Sequence, residues 1–299
     1  MILVFGGNGQ LGQELTRAAA SRGRALRALT HAQADIADGA AVAAAFARCR
    51  ADIVVNAAAY TKVDLAESAI ADARRGNESG PAVLAEACAG AGLPLLHVST
   101  DYVFDGGKDG AYLETDLPCP INAYGRSKAA GEEAVRRTLA HHVILRTAWV
   151  YSEFGSNFLK TMLRLAATRD EIRVVADQYG SPTSARDIAE AILQIAPSVA
   201  RDRSLSGTYH FTADGVTTWH GFASRIVDVA ASITARRPNV TPIPTAEYPT
   251  PAKRPANSQL DCRLFVRTFR LVPRHWTEAV DATTRALANF PHQAESHVT

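Results

Sequence analysis

The chain has 299 residues, 47% of them hydrophobic and 21% charged, and a formal charge of +2. This is the composition of an ordinary soluble globular protein, long enough for one large domain or two smaller ones sharing a core. Near-neutral charge without a basic stripe or an acidic run argues against nucleic acid or a membrane surface as a partner. The four cysteines, Cys49, Cys88, Cys119 and Cys262, are scattered without metal-ligand spacing, which points to reduced thiols in a cytoplasm. The apolar start at 1–7 is too short for a signal peptide or a membrane span and lacks a basic segment before it.

Residues 2–5 form an apolar run that ends in glycines, and a helical pattern follows over 10–21: strand, turn, helix. The turn reads Gly6-Gly7-Asn8-Gly9-Gln10-Leu11-Gly12. Glycines at 6, 9 and 12 allow a tight turn, close approach to a pyrophosphate and close packing of helix on strand. The helix start then offers unpaired N–H groups to phosphate oxygens. Placed between a buried strand and a helix, the triplet predicts dinucleotide binding.

The alternation continues with a strand at 25–29, a segment opened by Asp35 and Ile36, and an alanine-rich helix at 39–50. A strand at 52–59, a helix at 78–91 and a buried strand at 94–99 follow, the last running into Thr100 and Asp101. Asn122 caps a further helix, and an apolar strand covers 143–150. Beyond it come helices at 158–167, 185–195 and 219–235, strands near 173–176 and 208–211, and a closing helix at 279–290. The proline-rich stretch 238–255 is too irregular for core sheet. Apolar strands alternating with helices predict an α/β fold, a Rossmann-type doubly wound parallel sheet with a smaller C-terminal substrate lobe. The expected division gives 1–150, completed by strands and a helix at 172–212, to dinucleotide binding. The lobe takes 151–171 and 213–291, and 292–299 is a frayed tail. Ligands in such sheets sit beyond the carboxyl ends of the strands. The glycine turn, 56–61, 99–101 and 149–151 all fall there.

The capped helix carries Tyr124 and Lys128 four residues apart, hence on one face. A free tyrosine has a pKa of about 10. A fixed cation nearby favours phenolate, and lowering that pKa by about three units takes roughly 4 kcal/mol. The pair reads as an acid/base device; its plain alternative is a surface tyrosine beside a solvated lysine.

With the glycine triplet, this Tyr-x-x-x-Lys spacing resembles the extended short-chain dehydrogenase/reductases. Six stretches in order are similar to the dTDP-4-dehydrorhamnose reductase family: NAAAYTKVD at 56–64, STDYVFDG at 99–106, YGRSK at 124–128, RTAWVY at 146–151, QYGSPT at 178–183 and RPANS at 254–258. The resemblance implies NADPH-dependent reduction of the C4 ketone of a dTDP-4-dehydro sugar, the last step to dTDP-L-rhamnose. It implies Tyr124 as proton donor and Lys128 as holder of the nicotinamide ribose and depressor of the tyrosine pKa. Thr100 would polarise the ketone as a hydrogen-bond donor. Gly6, Gly9, Gln10, Leu11 and Gly12 would hold the pyrophosphate, Asp35 and Ile36 the adenine side, and Ala59, Tyr60 and Thr61 the middle of the cofactor. Asp101 and Trp149 would border the sugar, and Arg254 and Asn257 the nucleotide diphosphate. The plainer roles are a loop cap for Asp101, core for Trp149, an N-cap for Asp35 and loop pins for Arg254 and Asn257.

The second strand ends Ala28-Leu29-Thr30-His31 without a carboxylate, and Arg22, Arg24 and Arg27 are close in sequence. This favours NADPH, with NADH as the lesser cofactor. Related dehydratases carry a glutamate where Tyr102 stands, and fucose-forming relatives a cysteine near 99–102, which is missing. Other relatives gather glutamates around magnesium at a subunit contact. Glu14 matches one of them but Arg186 replaces another, which argues against magnesium and leaves it the minor alternative. A homodimer is the assembly the resemblance allows. The competing functions are another nucleotide-sugar reductase or epimerase, and a non-catalytic NADP(H)-binding regulatory subunit such as that of methionine adenosyltransferase.

Overall fold

The structure, a computed structural model, describes residues 1–288. Six strands form one wholly parallel sheet: β1 (Ile2–Phe5), β2 (Leu26–Leu29), β3 (Ile53–Asn56), β4 (Leu95–Thr100), β5 (His142–Thr147) and the strand Gly207–His210. They lie in the order β2, β1, β3, β4, β5, Gly207–His210. Successive strand residues point to opposite faces, so an apolar run feeds two cores at once. On one face Ile2 and Val4 meet Leu11 and Leu15 of α1 (Gln10–Ser21) and Ile188 and Ile192 of the helix Ala185–Val199. On the other, Leu3 and Phe5 meet Val42 of α2 (Gly39–Ala47), Leu84 of the helix Gly80–Ala91 and Val135 of the helix Ala123–Thr138. The order reverses between β2 and β3 around β1, which opens the crevice where a doubly wound sheet binds its ligand.

Four differences from the expected elements have physical causes. The helix expected from residue 78 begins at Ile70 and runs through a π-turn at Arg75–Ser79 into Gly80–Ala91. The strand expected through residue 150 stops at Thr147, because Trp149 has a left-handed φ of +48°. Val150–Tyr151 then pairs with Thr183–Ser184 outside the sheet. The strand near 173–176, grouped above with the dinucleotide domain, is Glu171–Val175, and it pairs in parallel with Asn239–Ile243. The proline-rich stretch thus does contain a strand, though outside the main sheet; Pro242 lacks an N–H and is exposed on it. These two strands pack with the helices Phe158–Thr168, Trp219–Thr234 and Trp276–Ala288 around Tyr151, Phe222 and Trp276, a core separate from the two sheet faces. Residues 289–290 of the expected closing helix and the expected tail at 292–299 lie outside the described residues.

The helix Ala123–Thr138 is held unusually close. A Cβ on Gly125 would stand 2.1 Å from the Tyr102 carbonyl oxygen, and one on Gly131 would stand 1.9 Å from the Asn77 carbonyl oxygen. Both neighbours are backbone, so neither can swing aside. Gly131→Ala should therefore destabilise by about 3 kcal/mol or more, the upper range for overpacking. Gly90→Ala, with nothing within 4 Å of its would-be Cβ, should instead be neutral or stabilise by about 0.5 kcal/mol. Urea denaturation of the two variants checks both signs.

Candidate active site

The glycine turn is built as its spacing predicts. Gly6 has φ +93°, and a Cβ there would stand 2.5 Å from the Ala58 nitrogen. A Cβ on Gly12 would stand 2.2 Å from the Gly6 carbonyl oxygen. Gly9 begins α1 without any side-chain cap, which leaves the first N–H groups of the helix free for an anion. The Leu11 side chain is core, so only its backbone is available there. The Gln10 side-chain oxygen accepts from Asn157 at 3.0 Å, tying the turn to the lobe.

The loop after β3 is stapled by a residue that sequence reasoning missed. Asn77, in the π-turn, accepts from the Tyr60 N–H at 2.8 Å and donates to the Tyr60 carbonyl at 3.0 Å. It also donates to Ser127 at 3.0 Å, and Ser127 bonds the Tyr124 carbonyl at 2.7 Å. One buried amide thus fixes the 57–61 loop, which carries Ala59, Tyr60 and Thr61, against the Tyr124 helix. A lone asparagine within a helical pattern gives no such signal.

Asn122 caps that helix as expected, accepting the Gly125 N–H at 2.7 Å. Tyr124, Lys128, Thr100 and Asp101 are all buried, around the carboxyl-terminal half of β4. The Lys128 ammonium donates to the Val98 carbonyl at 2.8 Å. Burial pushes the Tyr124 phenol up, against a weaker opposing hydrogen bond with Thr100, and Lys128 is not among the groups that lower it. Burial also lowers Lys128 to about 8, opposed by the Glu132 carboxylate one turn on. Desolvation here outweighs the charge that the helical spacing suggested.

The Thr100 hydroxyl donates to Asp101 Oδ1 at 2.9 Å and accepts the Tyr102 N–H at 3.2 Å, and it stands beside the Tyr124 phenol, whose pKa it lowers. The Asp101 carboxyl is raised to about 6 by burial, against hydrogen bonds from Ser258 and Thr100, and its Oδ2 has no partner. Asp101 is thus no mere loop cap.

Trp149 stacks on Trp219 with ring centroids 3.7 Å apart and planes 9° from parallel. The ring also passes so close to Gly180 that a Cβ there would stand 2.5 Å from its Cε2. Trp149 is half-buried and packs on the edge of the lobe core that holds Tyr151 and Phe222, on a backbone with a left-handed φ of +48°. In the sequence Trp219 marks only the start of a helix.

Four other expected contact residues are already engaged within the protein. Asn257 gives both amide hydrogens to the Lys108 and Gly110 carbonyls, at 2.8 and 2.7 Å, and accepts from Gln259, so it is a loop pin. Arg254 forms a two-pronged pair with Asp64, at 3.0 and 2.8 Å, across the crevice mouth. Asp35 is not an N-cap, a role Asp38 takes; it pairs with Arg75. Ile36 is buried against Gly80.

The residues do not fit a magnesium ion. Glu14 is buried and already bound by Arg17 at 2.6 Å and Ser152 at 2.7 Å, while Arg17 also holds Glu153 at 2.8 Å. An internal guanidinium occupies the place of a cation, Arg186 is exposed on its helix, and the described residues hold no group of three His, Cys, Asp or Glu side chains able to take a metal.

Behind the site, Glu132 is fully buried and accepts from Ser99 at 2.6 Å, Arg146 at 2.9 and 2.7 Å, and Arg136 at 2.6 Å. Burial alone would raise its carboxyl, but Arg146, Ser99 and Arg136 outweigh that and hold it below its ordinary value. These bonds tie the Tyr124 helix to β4 and β5.

The family model described as the RmlD substrate binding domain matches residues 1–289. The chain is 46% identical over 288 residues to a dTDP-4-dehydrorhamnose reductase of Sinorhizobium fredii, covering 96% of this chain and 97% of that one. It is 41% identical over 284 residues to a dTDP-4-dehydrorhamnose reductase of Escherichia coli K12, covering 93% and 95%. The crystal structure of dTDP-4-dehydrorhamnose reductase from Bacillus anthracis in complex with NADP superposes with a TM-score of 0.87 at 36% identity, covering 95% of this chain and 98% of that one.

Glu132→Gln leaves the buried Arg146 without its counter-charge and should cost about 3 kcal/mol. The sign with pH follows from the lowered carboxyl. Its contribution is complete above the free glutamate pKa of about 4.3 and is lost as pH falls through the lower folded value. Stability curves of wild type and variant should therefore converge in acid, measured by denaturant titration between neutral and acidic pH.

Proposed function

The chain belongs to the RmlD substrate binding domain family, and from that premise we propose that it is an NADPH-dependent dTDP-4-dehydrorhamnose reductase, converting the C4 ketone of dTDP-4-dehydro-L-rhamnose to the alcohol of dTDP-L-rhamnose. The observation that carries this is the buried Tyr124 phenol, raised above its ordinary value beside Thr100 at the sheet's carboxyl edge. When bound, the nicotinamide cofactor supplies the hydride. Tyr124 supplies the proton: burial keeps the phenol protonated at neutral pH, as a donor to a developing alkoxide requires. Thr100 stands beside the phenol and shares its hydroxyl hydrogen with Asp101. Proton uptake by Asp101 frees the Thr100 hydrogen for the ketone oxygen. Lys128 offers a buried ammonium one helical turn along, suited to ribose hydroxyls. Trp149, clamped by Trp219, walls the sugar. Arg254 reaches the nucleotide diphosphate only by leaving Asp64. Tyr102 is itself pushed up by burial and provides no base for elimination.

In this assignment the dinucleotide part is 1–150 together with the helix Ala185–Val199 and the strand Gly207–His210, and the remainder of the described chain forms the substrate lobe. All four cysteines are free thiols, and no helix among the described residues is long and apolar enough to cross a membrane. Both support a cytoplasmic enzyme. A homodimer rests on the family resemblance, and sedimentation velocity reads it directly.

Tyr124→Phe keeps the ring and removes the proton donor. It should bind NADPH normally and reduce the keto sugar at least about 10²-fold more slowly, the lower end for loss of a general acid. Absorbance at 340 nm with product identification checks this, and full activity would remove Tyr124 from the mechanism. Lys128, lowered to about 8, keeps its charge below that pH and loses it above. NADPH affinity should weaken between pH 7 and pH 9 in wild type and show no such step in Lys128→Met, as read by fluorescence titration.

A further inference from the structure

Residues 152–157, between the strand Val150–Tyr151 and the helix Phe158–Thr168, join the glycine turn to the lobe. Asn157 caps that helix: its Oδ1 accepts the Lys160 N–H at 3.1 Å. A cap needs only that oxygen, which serine or aspartate supplies equally well. Asn157 adds an amide nitrogen, which donates to Gln10 Oε1 at 3.0 Å and to the Ser152 carbonyl at 2.7 Å. Gln10 is the first residue of α1, so its backbone N–H is one of those left free at the helix start. Further contacts fasten the same segment to α1. Ser152 donates to Glu14 at 2.7 Å, and Arg17 pairs with Glu153 at 2.8 Å while lying over the Phe154 ring. A Cβ on Gly155 would stand 3.2 Å from Gln10 Cγ. The segment also holds both ends of the aromatic stack of the lobe. Only Val150 and Tyr151 separate it from Trp149, and Phe158 follows it directly. Phe158 packs on Trp219 with ring centroids 4.7 Å apart, and Trp219 stacks on Trp149.

We infer that Asn157 is a positioning residue that couples the two ligand sites, so that a dinucleotide at the glycine turn tightens binding of the nucleotide sugar in the lobe; this rests on Trp149 as a wall of the sugar site, as assigned above. An anion at the start of α1 draws on the Gln10 N–H and orders that residue. The Gln10 carboxamide passes that order to Asn157. Asn157 holds the entry into the helix Phe158–Thr168, and with it the ring against which Trp219 rests. A lobe ordered in advance gives up less freedom when the second ligand arrives, which is positive coupling without a large movement. Such coupling is reciprocal, so the nucleotide sugar tightens the dinucleotide by the same factor. It also accounts for asparagine at the cap: serine is too short to reach Gln10, and an ionised aspartate has no hydrogen to give it.

The test is calorimetric titration of the full-length protein with dTDP, alone and at saturating NADP+, and with NADP+ in the presence and absence of dTDP. Wild type should bind dTDP at least about fivefold more tightly once NADP+ is bound, and NADP+ should gain by the same factor from dTDP. Asn157→Ser keeps a capping oxygen, so its urea midpoint should stay close to wild type while the coupling falls below about twofold. Gln10→Met keeps the methylenes beneath Gly155 and the backbone N–H, and should lose the coupling to the same extent. The double variant should lose no more than either single one, an equality that two merely structural roles would not produce. On addition of NADP+ alone, hydrogen exchange over 152–158 should slow in wild type and not in Asn157→Ser. A wild type whose dTDP binding NADP+ leaves unchanged, coupling that survives in Asn157→Ser, or exchange that slows equally in both proteins overturns the inference. Coupling that depends on Asn157 in a protein inactive on the keto sugar upholds Asn157 and discards the proposed reaction instead.

Discussion

The structure depends on how closely one helix can approach two stretches of backbone. Ala123–Thr138 touches the carbonyls of Tyr102 and Asn77 at Gly125 and Gly131, with no space for a methyl group at either. That contact sets the height of Tyr124 and Lys128 above the sheet. The Glu132 cluster then fixes the rotation of the same helix, because its carboxylate has both oxygens committed to β4 and β5. A buried pair of this kind adds little net stability, yet it penalises any other placement heavily. The acid group is therefore positioned by steric exclusion on one side and by unpaired-charge penalties on the other.

Burial decides the chemistry of that position. The same desolvation raises Tyr124, raises Asp101 and lowers Lys128, each time toward the neutral form. A neutral phenol suits reduction, in which the enzyme must give a proton away. The hydroxyl of Thr100 has one hydrogen, and its direction depends on Asp101.

The crevice is walled by pairs that join distant segments: Arg254 with Asp64, Arg75 with Asp35, Trp149 with Trp219. Arg17 likewise bridges Glu14 and Glu153.

The sequence by itself determined the parallel sheet, the dinucleotide turn and the Tyr124 helix, because these rest on local rules. Apolar runs feed two faces, glycines permit one turn geometry, and a cap with a four-residue spacing defines one helix face. It also located Thr100, Asp101 and Trp149 at strand ends. Only the tertiary structure decided what those groups are. Sequence proximity misplaced Arg22, Arg24 and Arg27: the first two precede β2 and so lie at its opposite end, and Arg27 donates to the Arg48 carbonyl at 3.0 Å. Helical spacing put Lys128 on the face of Tyr124, but the burial that pushes the phenol up is reported by no spacing. Asn77, Arg75, Glu132 and Trp219 carried no signal at all. Their partners lie elsewhere in the chain or on another element, and a hydrogen bond or stacked ring exists only once folding has brought both ends together.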